Sequence, residues 1–259
     1  MALYPIYVKK IREPLEAKMS GLDFVKFLVE DEHFFVVAKP AKLAVHPSPL
    51  CRDKRTLLCL VRNKGGGEHV FPVHRLDKPV SGPVLFARSS EMCSLLQRQF
   101  TEGSVSKNYL ALVRGWTEDR GVIEHPLKKE NGVMQECRTE FECLGRVDIK
   151  EALGKFPSIR YSFLRLKPTT GRFHQLRRHL RDISHPILGD TTDGDSHQNQ
   201  FFRQRFGLQR LMLHCQSLGF SHPFTGNRIE THLPPDAEFK SVLIQLGFKT
   251  PDPLVGSPL

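Results

Sequence analysis

The stretch from residue 71 to residue 86 reads Phe71-Pro-Val-His-Arg-Leu-Asp-Lys-Pro-Val-Ser-Gly-Pro-Val-Leu-Phe86. Two apolar, strand-like segments flank a polar loop that contains His74, Arg75 and Asp77, and the Pro and Gly residues restrict the path of the loop. Catalytic groups are commonly carried on loops that a rigid sheet positions. The loop is therefore a candidate site, although the local sequence equally allows Asp77 to shape a turn before Lys78-Pro79.

Strands and helices surround this loop in no strict alternation. Apolar runs with a period of two predict strands, and apolar residues spaced by three and four predict helices. Lys39-Pro40 ends one predicted strand, because proline has no N–H to donate to a neighbouring strand. The mixture predicts an α+β fold. The predicted elements are two strands within residues 27–38, a helix over 51–64, a helix from Ser90 to Gly103, a strand over 107–114 and a short apolar helix over 239–248.

The segmentation of the chain predicts one body with two flanking regions. Residues 1–28 mix charges and proline without a clear period, and we expect them to form an N-terminal extension. Residues 29–235 carry the periodic segments and are expected to form a single domain. Residues 236–259 are expected to add a helix and a Pro-rich tail.

The charge balance of the chain is basic. Its 259 residues are 39% hydrophobic and 25% charged, which suits a globular protein and excludes a disordered or fibrous one. The 38 Lys and Arg residues exceed the 28 Asp and Glu residues by 10, which favours a polyanionic partner. A basic but solvated surface explains this excess equally well. Between Arg160 and Arg181 six Arg and one Lys occur without any Asp or Glu, so the sequence predicts a basic patch there.

Several functional classes lack their motifs in this sequence. The six Cys residues include no C-x-x-C pair, and none of the 12 His residues belongs to an H-E-x-x-H motif, so neither a disulfide framework nor a usual zinc site is indicated. Glycine motifs that bind nucleotide phosphates are absent as well. No apolar stretch approaches the roughly 20 residues of a membrane span. We therefore expect a reduced, cytoplasmic protein that binds no metal, nucleotide cofactor or membrane.

A helix predicted over residues 173–181 has two different faces. Arg177 lies at the border between them, where a guanidinium costs free energy unless a carboxylate pairs with it, and Asp77 is a candidate partner. The other basic side chains are suited to phosphates, or else form a solvated surface. At about 100° per residue, the apolar stripe contains Phe173, Leu176 and Leu180, and the basic stripe contains His174, Arg177, Arg178 and Arg181.

Several motifs, taken in their order along the chain, resemble those of the RluA-type pseudouridine synthases. Each motif alone would be weak, but their shared order over residues 27–233 is specific. They are Val36-Val-Ala-Lys-Pro40, His74-Arg-Leu-Asp-Lys-Pro-Val-Ser-Gly82, Lys107-Asn-Tyr-Leu-Ala-Leu-Val-Arg-Gly115, Lys167-Pro-Thr-Thr-Gly-Arg-Phe-His-Gln-Leu-Arg-Arg-His179, His185-Pro-Ile-Leu-Gly-Asp190, and Leu213-His-Cys215 with Phe220-Ser-His-Pro223.

Three runs are similar to members of this family that act on tRNA. They are His174-Gln-Leu-Arg-Arg-His-Leu180, Asp193-Gly-Asp-Ser-His-Gln-Asn199 and Phe206-Gly-Leu-Gln-Arg-Leu-Met-Leu-His214. The resemblance implies that the target is one uridine in the acceptor region, position 65 of tRNA. Val80, where the family usually has Thr, and Pro83 depart from the family pattern but leave Asp77 in register.

The resemblance also implies a fold and a mechanism. The fold is a single catalytic domain with a central mixed, largely antiparallel sheet flanked by helices and loops. In the implied reaction, which needs no cofactor, the uracil is detached from its ribose, rotated and rejoined through carbon, with Asp77 as the nucleophile and Arg177 as its partner. Tyr109 matches the active-site tyrosine, for which stacking on the uracil is the safer role, because a phenol is a poor base at neutral pH. From the residues alone, Tyr109 is equally a core aromatic on a strand.

The implied partner is RNA, bound by a monomer. The target base must be extruded from structured RNA, and Arg75 matches the position whose side chain fills the vacated space. The expected RNA contacts are Arg75, His74, Lys39, Arg172, His174 and Arg178. Three alternatives remain open: a ribosomal RNA target, a non-catalytic RNA-binding protein, and a hydrolase, for which no nucleophilic Ser or Cys elbow is evident.

Overall fold

The structure is a computed structural model that describes residues 25–47, 55–64, 67–154 and 157–249. Two antiparallel sheets and five helices form most of this described part. Most of the predicted N-terminal extension, residues 1–24, lies outside the described residues. The strands are β1 (Lys26–Glu30), β2 (Phe34–Lys39), β3 (Phe71–Pro72), β4 (Gly82–Ala87), β5 (Ser106–Arg114), β6 (Arg120–Ile123), β7 (Leu127–Lys128), β8 (Met134–Gln135), β9 (Thr139–Ile149), β10 (Ile159–Pro168), β11 (Leu213–Ser221) and β12 (Arg228–His232). The helices are α1 (Leu57–Lys64), α2 (Ser90–Thr101), α3 (Gln175–Asp182), α4 (Ser196–Phe206) and α5 (Ala237–Gln245).

The strand order separates a small sheet from a large one. The small sheet has the order β1-β2-β4-β3, and the large sheet has the order β12-β11-β5-β10-β9-β6. A two-stranded hairpin, β7-β8, stands apart from both. The paired strands of the described residues are antiparallel, and one parallel bridge joins Ser81 to His214. The expected α+β fold with a mixed, largely antiparallel sheet is confirmed.

The bridge between Ser81 and His214 fuses the end of the polar loop to the large sheet. The Cys215 N–H donates to the Ser81 carbonyl at 2.8 Å. This bond places β11 beside the residue that immediately precedes β4. At Gly82, where φ is +150°, an added Cβ would stand 2.4 Å from the Cys215 Cβ and 2.8 Å from its carbonyl oxygen. The two backbones approach closely only because this residue has no side chain.

A buried guanidinium fixes the same junction from the C-terminal side. Arg210 Nη2 donates to Ser81 Oγ at 2.8 Å and to the Leu213 carbonyl at 3.1 Å, and Nη1 donates to the Asp236 carboxylate. Ser81 Oγ also contacts His214 Nδ1 at 2.7 Å. Because Arg210, Ser81 and His214 are buried, these bonds specify one arrangement of the loop end.

Two cores cover the faces of the small sheet. On β2, Phe35 and Val37 face the main core, while Phe34 and Val36 face a second core with α2, as the alternation of side chains along a strand requires. The main core fills the space between the sheets and receives Phe239, Val242 and Leu243 from α5. The C-terminal helix thus packs into the same body as the sheets.

Most elements agree with the sequence pattern, but several boundaries differ. Helix α1 begins at Leu57 and not at residue 51, although residues 48–54 lie outside the described residues, and α5 spans Ala237–Gln245 and not 239–248. In α2 the N-cap is Ser89, whose side chain accepts from the Met92 N–H at 3.1 Å, so the helix begins at Ser90. The helix predicted from residue 173 begins at Gln175, because His174 adopts the left-handed region with φ 51° and ψ 28°. The predicted position of Phe173 in a buried stripe is therefore wrong, and its side chain is 54% exposed.

Candidate active site

Asp77 lies on the loop between β3 and β4 and lines a cavity of the described residues. A turn closes the loop, because the Val80 N–H donates to the Asp77 carbonyl at 3.0 Å. The cavity has a volume of about 1260 Å³ and is lined by the loop, by the start of α3, by the segment around Asp193 and by the β7-β8 hairpin. Its basic lining residues are Lys42, Arg75, Lys78, Lys128, Lys129, Arg172, Arg177 and Arg178, against Asp77, Glu130 and Asp193.

Arg177 connects Asp77 to two further carboxylates. Its side chain is only 4% exposed, and Nη1 donates to Asp77 Oδ2 at 3.3 Å. Nε and Nη2 form a two-pronged ion pair with Asp190 at 2.6 and 2.7 Å, and Asp193 Oδ2 lies 3.8 Å from Nη2. The structure therefore brings Asp77 and Arg177 together as predicted, but the principal partner of Arg177 is Asp190. Two of its three nitrogens are fixed there, which leaves Nη1 directed at Asp77.

The electrostatics favour the charged forms of Arg177 and Asp190. Burial opposes the charge of Asp190, but the hydrogen bonds from Arg177 and from the Asp193 backbone N–H outweigh it and lower the pKa of Asp190. Burial likewise opposes the charge of Arg177, and the Asp190 carboxylate more than offsets it and raises the pKa of Arg177. A charged Arg177 is thus held beside the candidate nucleophile.

His174 forms the wall next to Asp77. Its Nε2 lies 2.8 Å from Arg177 Nη1 and 3.6 Å from Asp77 Oδ2, and its Nδ1 lies 3.2 Å from Asp193 Oδ2. A guanidinium can only donate, so Nε2 accepts from Arg177 and Nδ1 carries the ring proton toward Asp193. The ring is therefore fixed in both position and tautomer.

Tyr109 lies on β5, in register with Cys215 of β11 and Leu166 of β10. Burial, followed by the charge and hydrogen bond of Cys215 and the charge of Asp77, raises the pKa of Tyr109 well above its ordinary value. The phenol therefore stays protonated at neutral pH. Its ring is partly buried and packs against the main core rather than lining the cavity.

Two expected RNA contacts are internal and need correction. Lys39 is 1% exposed, and its ammonium donates to the carbonyls of Pro40, Leu43 and Lys78 at 2.9, 2.7 and 3.1 Å, so it ties down the loop instead of meeting phosphate. Desolvation lowers the pKa of Lys39 to about 7, although the Asp77 charge opposes this shift. His74 Nε2 accepts from the Leu85 N–H at 3.1 Å and its ring stacks on Phe100, which makes it part of the sheet.

The expected basic patch between Arg160 and Arg181 does not form one surface. Arg160 stacks over the Trp116 ring at 4.4 Å, Arg165 pairs with Glu142 at 2.7 Å, and Arg181 pairs with Asp193 at 2.6 Å. From this segment, the residues that reach the cavity are Arg172, Phe173, His174, Arg177 and Arg178. The expected contact Arg75 is exposed and also lines the cavity.

Sequence reasoning missed the acidic side of the site and the basic hairpin. Asp190 is the last residue of the motif His185–Asp190. The only sequence feature that could have indicated its role is a carboxylate directly after a glycine, in a loop. Asn199 of α4 donates to the Asp190 carbonyl at 2.6 Å and holds this loop. Lys128 and Lys129 could be found from two adjacent lysines in a short hairpin.

The described residues contain neither a cluster suited to a metal ion nor a membrane-spanning helix. Among these residues no group of three or more His, Cys, Asp or Glu side chains is arranged to hold a metal ion. No helix in the described part of the chain is long and apolar enough to cross a membrane.

Comparison with known proteins shows the family to which the chain belongs. The sequence model of the RNA pseudouridylate synthase family matches residues 33–182, which include Asp77, Tyr109 and Arg177. The chain is 43% identical over 216 residues to tRNA pseudouridine synthase C of Pasteurella multocida, covering 79% of this chain and 89% of that relative. It is 37% identical over 236 residues to tRNA pseudouridine synthase C of Vibrio cholerae, covering 87% of this chain and 97% of that relative.

Solved structures share the fold. Human RNA Pseudouridylate Synthase Domain Containing 4 superposes with a TM-score of 0.68 at 21% identity and covers 87% of this chain and 94% of that chain. Human RNA Pseudouridylate Synthase Domain Containing 1 superposes with a TM-score of 0.66 at 23% identity. The matched region covers 91% of this chain and 100% of that chain. With the family match and the relatives above, the resemblance noted in the sequence is confirmed: this chain belongs to the RNA pseudouridylate synthase family and is an RNA pseudouridine synthase.

Proposed function

We propose that the protein isomerises a uridine of tRNA, at position 65 of the acceptor region, with Asp77 as the nucleophile. The observation that carries this proposal is the position of the Asp77 carboxylate. Its Oδ2 lies 3.3 Å from Nη1 of the buried Arg177, and both residues line a cavity with many basic side chains. The relatives that share 37 to 43% of their sequence with this chain are named for tRNA. The proposed enzyme is a cytoplasmic monomer that uses no cofactor.

The chemistry assigns different work to the residues of the site. Asp77 attacks the bound nucleotide and leaves again, which suits a carboxylate positioned by a hydrogen bond from Arg177. The bond between the ribose carbon and the uracil nitrogen breaks, and a carbon–carbon bond replaces it; the uracil carbon loses one proton and the nitrogen gains one. Because its pKa is raised by burial, Tyr109 is a poor acceptor for that proton, which favours a stacking or packing role.

RNA recognition is proposed to rest on the exposed basic side chains at the cavity. Arg75 adjoins Asp77 on the loop and is placed to occupy the space of the extruded base. Arg172 and Arg178 line the cavity on the α3 side, where they are suited to backbone phosphates. His174 is proposed to contact the bound nucleotide from the wall of the cavity.

The first test is Asp77→Asn. The substitution keeps the shape of the side chain but removes the nucleophile, so we expect pseudouridine formation in tRNA to be abolished while tRNA affinity stays within about twofold. Asp119→Asn, at an exposed carboxylate that pairs with Arg146, is the matched control and should retain full activity. Product from Asp77→Asn equal to that of the parent would refute the nucleophile assignment.

The target is tested separately. Pseudouridine is mapped in tRNA and ribosomal RNA from cells that lack the gene, with and without a complementing copy. We expect loss and recovery at position 65 of tRNA. Loss confined to ribosomal RNA would overturn the tRNA proposal while leaving the enzyme class intact.

A further inference from the structure

Phe173 presents an open aromatic face to the active-site cavity. Its side chain is 54% exposed, whereas the apolar side chains Leu176 and Leu180 of the adjoining helix α3 are buried. It lines the cavity together with Asp77, His174 and Arg178. The exposed ring therefore costs solvation free energy in the unliganded protein, and it lies where RNA must pass.

The phenyl ring is held by an unusual local conformation. Side chains at adjacent positions of a helix or strand point in different directions, so neighbouring rings do not ordinarily stack. The left-handed backbone of His174 changes this, and the rings of Phe173 and His174 lie 3.9 Å apart with 16° between their planes. Backbone conformations of this kind in residues other than glycine concentrate at functional sites.

The ring beneath Phe173 cannot move freely. His174 accepts from Arg177 at one nitrogen and lies 3.2 Å from Asp193 at the other, and Arg177 is fixed in turn by Asp190. The phenyl ring thus rests on a platform that is bonded at both edges. A rigid aromatic platform loses little conformational entropy when a flat ligand stacks on it.

We propose that Phe173, supported by His174, is a stacking subsite for an unpaired nucleobase next to the target uridine. The proposal rests on the function proposed above. Aromatic side chains on a basic surface are the general means by which proteins hold single-stranded bases, because every base has a π-face. Arg172 and Arg178 flank the ring at the cavity and supply the charge for the phosphates on either side of such a base.

The position of the ring decides which base it holds. Asp77 faces the edge of the His174 ring at 3.6 Å, whereas Phe173 covers the face of that ring. A uracil that reacts at Asp77 therefore lies at the edge of the stack, and the outer face of Phe173 is available to a neighbouring nucleotide. Phe173 acts in binding and not in the chemical step.

The test compares Phe173→Ala with Phe173→Trp on a tRNA substrate. Loss of the ring should raise KM and the Kd for tRNA about 5- to 100-fold, as expected for one stacked base, with kcat within about twofold. Phe173→Trp should restore binding to within a few-fold of the parent. The dependence of Kd on salt should not change, because stacking releases no counterions. Phe224→Ala is the matched control, since Phe224 is 58% exposed outside the cavity lining.

A spectroscopic arm observes the contact itself. The sequence contains one Trp, Trp116, so Phe173→Trp in a Trp116→Phe background carries a single indole at the subsite. We expect tRNA to quench its fluorescence, and a base analogue next to the target uridine to respond in the same titration.

Three results would overturn the subsite. They are an unchanged Kd for Phe173→Ala, a loss of kcat at constant KM, and an indole that tRNA does not quench. The proposed function fails differently, because the parent protein would then form no pseudouridine in tRNA while the comparison of parent and variants in RNA binding still reports on Phe173.

Discussion

Arg177 illustrates how a buried charge becomes a positioning device. Removing a guanidinium from water is costly, and a single contact with Asp77 would not offset the desolvation. Asp190, itself 1% exposed and bonded to the backbone N–H groups of Thr192 and Asp193 at 2.9 Å, supplies the compensation. The consequence for the site is that Arg177 Nη1 is held in one direction, toward Asp77.

Arg177→Lys tests this geometry at constant charge. A lysine ammonium is a point charge that cannot bond Asp190 at two positions and reach Asp77 as well. We expect kcat to fall about 100-fold, with tRNA affinity within about twofold, since small misplacements of reacting groups have effects of that size. Arg181→Lys, at a side chain that is 45% exposed, is the control and should retain activity. A kcat equal to that of the parent would show that charge alone suffices.

At the residue scale, the sequence predicted the contact between Asp77 and Arg177 but not the burial of their neighbours. The amphipathic pattern placed Arg177 at a border, and the need for a carboxylate followed from desolvation. Lys39 and His74 resembled exposed polar residues because their partners, backbone groups of Leu43, Lys78 and Leu85, come from packing that no local pattern encodes.

At the element scale, the decisive contact is that of β4 with β11. The polar loop rejoins the small sheet at Gly82, the first residue of β4, and Ser81 is bridged to β11. Strand β11 neighbours β5, the strand that carries Tyr109. The two sheets therefore meet at the site, which holds Asp77 in the cavity and Tyr109 behind it.

Gly82→Ala should disrupt this contact. The added methyl group meets the Cys215 backbone and side chain, so the strands must separate, and we expect a loss of about 2–4 kcal/mol in the free energy of unfolding together with reduced activity. Gly154→Ala is the control that separates the steric contact from backbone strain. Gly154 has φ +58°, but an added Cβ there would meet nothing within 4 Å. The substitution should lower the free energy of unfolding by about 1–2 kcal/mol. Urea unfolding measures both, and equal losses would contradict the steric explanation.

The elements themselves followed from the sequence better than their ends. The hydrophobic period identified β1, β2, β5 and α2, and the resemblance implied the antiparallel sheet. The start of α3 was wrong by two residues because the left-handed conformation of His174 depends on its bonds to Arg177 and Asp193. Helical periodicity contains no information about such side-chain bonds.

At the scale of the whole molecule, the net charge is +10. The basic residues that line the cavity are neighbours in space but come from separate parts of the sequence. Some Arg side chains of the Arg160–Arg181 segment form ion pairs and ring contacts within the protein. Other basic side chains that line the cavity come from outside this segment, among them Lys42, Arg75, Lys128 and Lys129. The composition predicted a polyanionic partner, but which charges face it depends on the fold.

Arg178→Ala tests the electrostatic contribution. A side chain that contacts one phosphate releases about one counterion, so the slope of log Kd against log salt for tRNA should decrease by about 1 and the affinity should fall. Arg203→Ala removes the same charge from the exposed side of α4, outside the cavity lining, and should leave the slope unchanged. Identical slopes for parent and Arg178→Ala would remove this residue from the RNA interface.

The bonds of Arg210 to Ser81 and to Asp236 determine when the protein can first act during its own synthesis. The nucleophile is made early, but the strand and guanidinium that hold its loop come about 130 residues later, at Arg210 and His214. A nascent chain that has not yet extended past Asp236 lacks groups that fix the loop, and we expect it to be inactive toward the ribosomal and transfer RNA around it. We therefore expect activity to begin only once Arg210, His214 and Asp236 have all emerged from the ribosome.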